Sequence, residues 1–266
     1  MKPLTAQQIG VLCTIARHAG DTVMDVYRRD FAVWEKKDAS PLTEADLRAD
    51  SIIRMGLEAA FPGVFILSEE SASTVSADTD TDPFFLVDPL DGTREFLGRN
   101  GEFTVNIALV HQGRPLAGVV FAPALDQMFW AWVGHGAWKQ AGVSTATSLQ
   151  VAPYDRTRPL RIIGSRSHSV ETVANWLAGL PEPHAFATAG SSLKFCLIAQ
   201  GKADMYPRFG PTSQWDTAAA QCILEESGGM VVDTTAKPLV YGLNQPILNP
   251  HFFGIGDKSL GSLVRT

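Results

Sequence analysis

The apolar run Phe84-Phe85-Leu86-Val87 stops at Asp88-Pro89-Leu90-Asp91-Gly92-Thr93, and no other stretch limits the fold so tightly. Four large apolar residues in a row read as a buried strand. Pro89 turns Asp88 away from the helical region and removes a backbone donor from any ladder. Two carboxylates three apart, with Leu90 between them, can then be aimed by a tight loop at one point, together with the Leu90 carbonyl. An all-oxygen set of that kind suits a hard cation such as Mg²⁺. Gly92-Thr93 opens "TREFLG", which can begin a helix whose free N–H groups face an anion. Taken alone, the pattern is also that of a decorated turn.

Other acids stand in comparable places. Glu69 and Glu70 end the apolar run in "VFILSEES", and Asp216 opens the helical run "WDTAAAQCILEESGG". Each alone would be a cap or a solvated acid. Three element ends carrying acids beside apolar runs point instead to convergence in one cleft.

Around these ends the periodicity alternates between helix and strand. Ile9, Leu12, Ile15, Ala16, Ala19, Val23 and Val26 recur at helical spacing after Thr5, a suitable N-cap. A second helix is expected over "LTEADLRADSIIRMGLEAAFPG", with Thr43 as cap, Asp46 at the capping-box position and Gly63 past the end. Strands are predicted for "VFILS", "FFLVD", "FTVNIALVHQG" and "RPLAGVVFAP", then a hairpin turning near Gly134-His135-Gly136, then "SLQVAP" and "LRIIGSRS". Helices over "SVETVANWLAG", "SSLKFCLIAQG" and "WDTAAAQCILEESGG" follow, with strands at "ADMYPR" and "MVVDT". The polar, proline-containing stretch 152–159 is a candidate junction. It separates an α+β half, 1–153, that carries the metal loop from an α/β half, 154–266. Residues 71–82, "SASTVSADTDTD", read as a surface loop, and Trp130, Trp132 and Trp138 as hairpin packing rather than base-stacking platforms. Trp215 is expected to pack the helix start beside Asp216.

Composition narrows the partners. With 266 residues, 45% hydrophobic and 19% charged, the chain can bury a full core. A net charge of −6 argues against a nucleic-acid polymer and toward a small substrate. An anionic substrate would then need positive charge supplied locally, as a metal can do. Cys13, Cys196 and Cys222 form no CxxC pair and are odd in number, so they read as buried thiols in a reducing compartment. The N-terminus lacks an apolar signal core, and no stretch approaches the ~18 apolar residues of a membrane span. The expected location is cytoplasmic with no integral membrane segment, a peripheral seat on the inner membrane being left open. "GSRSH" holds Ser and His, but no G-x-S-x-G elbow accompanies it.

"DPLDGTREF", with "SEES" upstream and "WDTAAAQCILEESGG" downstream, resembles the inositol monophosphatase superfamily of Mg²⁺-dependent, lithium-sensitive phosphatases. The first motif is similar to the family's D-P-[IL]-D-G-T, the second to its W-D-x-[AS]-A and the [AS]-G-G turn at Ser227-Gly228-Gly229. The resemblance runs from about Ile9 to about Asn249. Within the superfamily, "NGEFTVNIALV", "GSRSH", "GSSLKFCLIAQGKADMYPRFGPTSQWDTAA" and "LNP" resemble the bacterial 3'(2'),5'-bisphosphate nucleotidases of the CysQ type. Inositol monophosphatases carry different residues over "YPRFGPTSQ".

The resemblance implies an α/β fold, the layered αβαβα sandwich of this family, with the site between its halves. It implies two or three Mg²⁺ ions. Glu69, Asp88 and the Leu90 carbonyl match the ligands of one, and Asp88, Asp91 and Asp216 those of a second. Gly92 and Thr93 match the phosphate-cradling amides. Asp46 and Thr93 match the pair that orients and deprotonates the attacking water, which gives Asp46 a catalytic alternative to its helix-start role. Glu69 belongs to the same catalytic set, and Glu70 has a supporting role. Ser165, His168, Ser191, Lys194 and Arg208 are candidates for the adenosine and its spectator 5'-phosphate, beside Glu69, Leu90, Asp91, Gly92, Thr93 and Asp216 at the reacting end. For Lys194 and Arg208 the alternative is a surface cation. Two cations roughly 3.5–4 Å apart can hold attacking and leaving oxygens in line, so no covalent nucleophile is required. The implied reaction is hydrolysis of the 3'-phosphate of 3'-phosphoadenosine 5'-phosphate to AMP and phosphate, clearing a by-product of sulfate assimilation. The rivals are an inositol-phosphate or sugar-phosphate hydrolase of the same superfamily and a non-catalytic metal- or nucleotide-binding regulator. Monomer and homodimer are both compatible.

Overall fold

The computed structural model describes residues 4–35, 41–74, 81–166 and 170–264. The first helix, α1 (Ala6–Tyr27), starts as its cap predicts: Thr5 accepts from the Gln8 N–H while the Gln8 side chain returns a bond to Thr5. Two short antiparallel strands, β1 (Val33–Glu35) and β2 (Pro41–Thr43), lead into α2 (Glu44–Ala60). The apolar stripes of α1 and α2 bury Leu12, Ala16, Ala19, Ala49 and Ile53 against Phe85, Val87, Val105, Ile107 and Leu109 of a sheet.

That sheet has seven strands in sequence order: β3 (Phe65–Ser68), β4 (Phe84–Asp91), β5 (Thr104–His111), β6 (Arg114–Ala122), β7 (Gln127–Trp132), β8 (Ala137–Ala141) and β9 (Thr147–Leu149). Only β3 and β4 run parallel. Its odd-numbered β5 residues face α1 and α2, and its even-numbered ones, Ala108 and Val110, face the opposite layer. Burial on both faces explains why the central strands read as unbroken apolar runs. A short helix, α3 (Thr93–Leu97), follows β4.

The second sheet is built from β10 (Leu160–Ser165), β11 (His184–Ala189), β12 (Met205–Arg208), β13 (Met230–Asp233) and β14 (Phe252–Ile255), in the order β11-β10-β12-β14-β13. Between the sheets lie α5 (Leu193–Ala199) and α6 (Gln214–Glu226), whose Phe195, Ala199, Ala219 and Ile223 join one core with Leu86 and Val120 on one side and Tyr206 and Phe252 on the other. The approach of α6 to β6 is close enough that a Cβ on Gly118 would stand 2.1 Å from the Ala219 carbonyl oxygen. Outside the second sheet, α4 (Val170–Ala178) packs Val173 and Trp176 with Leu160 and Phe253. The layers run α1/α2, sheet, α5/α6, sheet, α4, which is the expected αβαβα sandwich. Among the described residues no helix is long and apolar enough to cross a membrane.

Several local expectations change. The strand at "FFLVD" runs on to Asp91 through an irregularity rather than ending at Asp88. Part of the stretch read as a loop, Ser71–Thr74, belongs to a 3-10 turn over Glu69–Thr74, and residues 75–80 lie outside the described ones. The strands β1, β2, β11 and β14 have no counterpart in the periodicity; three or four residues are too few to show one, and β11 is mostly exposed.

Candidate active site

A cavity of about 240 Å³ opens where β4 ends, lined by Glu69, Asp88, Asp91 and Asp216. The way β4 reaches it answers how two aspartates three apart can act together. In a regular strand such residues point to opposite faces. Here Asp88 pairs with Asn106 and Asp91 with Thr104, so β4 spends three steps where β5 spends two. The one-residue bulge restores the parity, and both carboxylates line the same cavity. Pro89, which has no donor to lose, sits inside the bulge, and the Leu90 N–H donates to Asp88 Oδ1 at 3.0 Å to close it. The Thr93 hydroxyl donates to the Leu90 carbonyl at 3.3 Å. Gly92 takes φ +91° between them, a conformation that favours glycine, and has no side chain to cap the first N–H groups of α3.

The other two acids arrive from different elements. Glu69 follows the last residue of β3, whose Ser68 lies beside Val87 of β4. Asp216 is in the first turn of α6, where its Oδ2 accepts from the Ser213 N–H at 2.9 Å. Burial pushes the Asp88 carboxyl well above the usual carboxylate range, and the facing charges of Glu69, Asp91 and Asp216 push it further. Asp216 is raised for the same reasons, burial first and then Asp91 and Glu69. Buried acids that repel one another in this way fit a hard cation, which would offset the repulsion and which takes oxygen ligands. Among the described residues no three Asp, Glu, His or Cys side chains stand as a ready-made metal cage.

Two buried cations line the same cavity. Lys194 donates from Nζ to the Ser191 carbonyl at 2.6 Å and to the Ala189 carbonyl at 3.3 Å, which leaves a third donor. Burial lowers its pKa to about 8, Asp91 pulling it back up and Arg208 pushing it down. Arg208 donates to the Pro211 carbonyl at 2.6 Å, while its Nε and the Thr212 hydroxyl are buried with no partner among the described residues. Ser165, Ser191, Leu90, Gly92 and Thr93 complete the predicted residues present in the lining.

Asp46 is placed differently. It is buried in the capping box of α2, its Oδ2 accepting from the Thr43 N–H at 2.8 Å and the Thr43 hydroxyl at 2.6 Å, and it is not among the lining residues. Strand β2, which ends at Thr43, packs against α3, which starts at Thr93. His168 lies outside the described residues. Glu70 sits in the 3-10 turn after β3. Trp130 pairs with Trp138 across the β7–β8 hairpin, Trp215 is buried beside Asp216, and no tryptophan lines the cavity. The three cysteines are free thiols, and burial drives Cys13 up to about 12. The sequence reading missed Asn106, Thr104 and Ser192, which all hydrogen-bond Asp91. Only the register of β4 against β5 and the approach of α5 reveal them. It also missed the aromatic wall of Phe195, Tyr206 and Phe252, which reads in sequence as ordinary core.

Residues 5–260 match the model of the inositol monophosphatase family. A Salmonella typhimurium protein named 3'(2'),5'-bisphosphate nucleotidase CysQ is 45% identical over 243 residues, covering 91% of this chain and 96% of that protein. Its Escherichia coli K12 namesake is 44% identical with the same coverage. The crystal structure of CysQ from Bacteroides thetaiotaomicron, described as a bacterial member of the inositol monophosphatase family, superposes with a TM-score of 0.80 at 33% identity, covering 94% of this chain and 97% of that one.

Proposed function

The chain belongs to the inositol monophosphatase family, and from that premise we propose that it is a metal-dependent phosphomonoesterase that hydrolyses the 3'-phosphate of 3'-phosphoadenosine 5'-phosphate to AMP and phosphate. One observation carries the reading to this substrate: five carboxylates, the four proposed metal ligands and Glu95, and two buried cations line a single cavity. A metal-bearing wall suits the phosphate that reacts, and a cationic wall suits a second phosphate that does not. Relatives named as bisphosphate nucleotidases support the same division.

Glu69, Asp88, Asp91, Asp216 and the Leu90 carbonyl would hold two or three Mg²⁺ ions. When bound, these supply positive charge to the phosphate oxygens and acidify water. The N–H groups of Gly92 and Thr93 receive the oxygens of the 3'-phosphate at the start of α3. The Thr93 hydroxyl orients the attacking water, and Asp46, in the first turn of α2 after the strand that packs against α3, accepts its proton by way of that hydroxyl. The water oxygen bonds to phosphorus, the bond to the 3'-oxygen breaks, and that oxygen takes a proton from a solvent water as AMP departs, the proton on Asp46 returning to solvent. Lys194 and Arg208 hold the 5'-phosphate throughout, with Ser165 and Ser191 on the nucleoside. The location proposed is the cytoplasm, where free thiols such as Cys13, Cys196 and Cys222 persist.

The test is phosphate release from 3'-phosphoadenosine 5'-phosphate beside inositol 1-phosphate, each with and without Mg²⁺. Metal-dependent preference for the bisphosphate is expected. A preference for inositol 1-phosphate would move the chain to the family's other branch, and no turnover on either would make it a binding protein.

A further inference from the structure

One oxygen of Asp91 carries all of its hydrogen bonds. Its Oδ2 accepts from the Ser192 N–H at 2.6 Å, the Ser192 hydroxyl at 2.7 Å, Asn106 Nδ2 at 3.2 Å and the Thr104 hydroxyl at 3.4 Å. None of the described residues bonds Oδ1. The donors come from two places far apart in sequence: Thr104 and Asn106 from one face of β5, and Ser192 from the turn before α5.

Three departures from locally favourable structure meet at this point. Ser192 is the N-cap of α5, where a serine ordinarily turns its hydroxyl onto its own helix, yet it makes no such bond. Its hydroxyl lies between Asp91 and the Asp216 carbonyl, at 2.8 Å from the latter. Ser191, just before it, is held at φ +45°, which costs a residue other than glycine free energy. Asn106 donates to Ser192 Oγ at 2.8 Å as well as to Asp91, and its own Oδ1 is buried with no partner among the described residues. Reversing that amide would set its oxygen against the Asp91 carboxylate, so the orphaned acceptor follows from orienting Asp91. Ser192 and Asn106 are each 1% exposed, so water does not replace these bonds.

We propose that Ser192 and Asn106 are positioning residues that grip Asp91 by Oδ2, present Oδ1 alone to a divalent cation, and tie it to the first turn of α6 that carries Asp216 through Ser192, whose N–H holds Asp91 while its single hydroxyl proton is shared between Asp91 and the Asp216 carbonyl. The proposal rests on the reading of this cavity as a metal site. A carboxylate held by one oxygen offers the other in a single direction, as small octahedral ions require. The Ser192 link also sets the separation of two acids brought in by different layers of the fold.

The probe is Mn²⁺ alone, titrated into the full chain without substrate and followed by the electron paramagnetic resonance signal of the free ion. Ser192→Ala is expected to weaken Mn²⁺ binding roughly 10- to 100-fold. The Mg²⁺ concentration for half-maximal activity should rise in parallel, while kcat at saturating Mg²⁺ stays within a few-fold of wild type. Ser192→Thr, which keeps the hydroxyl, should restore the affinity. Asn106→Ala should move it in the same direction by less, and answers the question if Ser192→Ala does not fold. Unchanged Mn²⁺ affinity in Ser192→Ala, with or without a lower melting temperature, would overturn the proposal and leave Ser192 a packing residue. If wild type binds no Mn²⁺, or Asp91→Ala binds it as well as wild type, the metal site itself is refuted instead.

Discussion

Raising the pH from 7 to 9 should strip Lys194 of its charge and, with it, part of the grip on the 5'-phosphate. An ordinary lysine would not titrate in that range. Lys194 does because it is 5% exposed and burial brings its pKa to about 8, with only partial compensation from Asp91. At that pKa the ammonium form falls from roughly 90% at pH 7 to roughly 10% at pH 9. The sign is fixed: the charged form binds phosphate and is the low-pH form, so binding is lost as pH rises. A divalent cation near Asp91 would remove some of that compensation and shift the fall to lower pH. The value of kcat/KM reports the free enzyme, so its profile for 3'-phosphoadenosine 5'-phosphate should drop about tenfold between pH 7 and 9. Dividing by kcat/KM for 3'-AMP, which lacks the 5'-phosphate, cancels pH effects on the shared chemistry. Lys194→Arg should flatten the ratio, because guanidinium stays charged. Lys194→Ala should lower kcat/KM for the bisphosphate by about 10- to 150-fold at pH 7, through KM, as loss of one charge-assisted hydrogen bond of about 1.5–3 kcal/mol implies. A ratio that stays level in wild type, or equal losses on both substrates in Lys194→Ala, would show that Lys194 supports the cavity wall and not the nucleotide.

Asp91→Asn should lower kcat by roughly 100-fold or more with the fold intact, because a neutral amide is a weak ligand for a hard cation; turnover near wild type in saturating Mg²⁺ would remove Asp91 from the metal set. Asp46→Asn separates the two roles of that residue. The cap should cost about 1 kcal/mol of stability in either case; loss of the general base should in addition cut kcat by about 10²- to 10⁴-fold, whereas a cap alone would keep its kcat. Ca²⁺ should bind yet support little turnover, since its ~2.3–2.6 Å bonds misplace groups set for Mg²⁺ at ~2.0–2.1 Å; equal rates in the two ions would count against the mechanism. Asp204 binds Arg158 through both oxygens and also takes Arg161, and although burial alone would raise its carboxyl, these bonds hold it near pKa 2. A depressed carboxyl stabilises the fold above its unfolded pKa, so about 1–2 kcal/mol should disappear as pH falls from about 4 through 2, allowing for solvent around the arginines. Asp204→Asn should therefore lower the urea midpoint at pH 7, and an unchanged midpoint would contradict the pairing.

What sequence alone determined was local. Thr5 and Thr43 announce α1 and α2 because a cap and its partner lie within one helical turn, and the apolar runs of β4, β5 and β6 announce strands because both faces are covered. Asp88, Asp91, Glu69 and Asp216 were legible because each interrupts an apolar element at its end, and the family motifs tie them together. Tertiary structure decided the rest. The bulge that brings Asp88 and Asp91 to one side exists only as a register between β4 and β5. Asp46 satisfies two readings in sequence, and only the structure shows that it is buried and holds Thr43 through Oδ2. Ser192 stands in "SSLKFCLIAQG", which reads simply as a helix, and binds an aspartate 101 positions earlier. A cap is read from its neighbours in the chain, but the partner of a buried hydroxyl is chosen by whichever layer closes over it, and no local pattern encodes that.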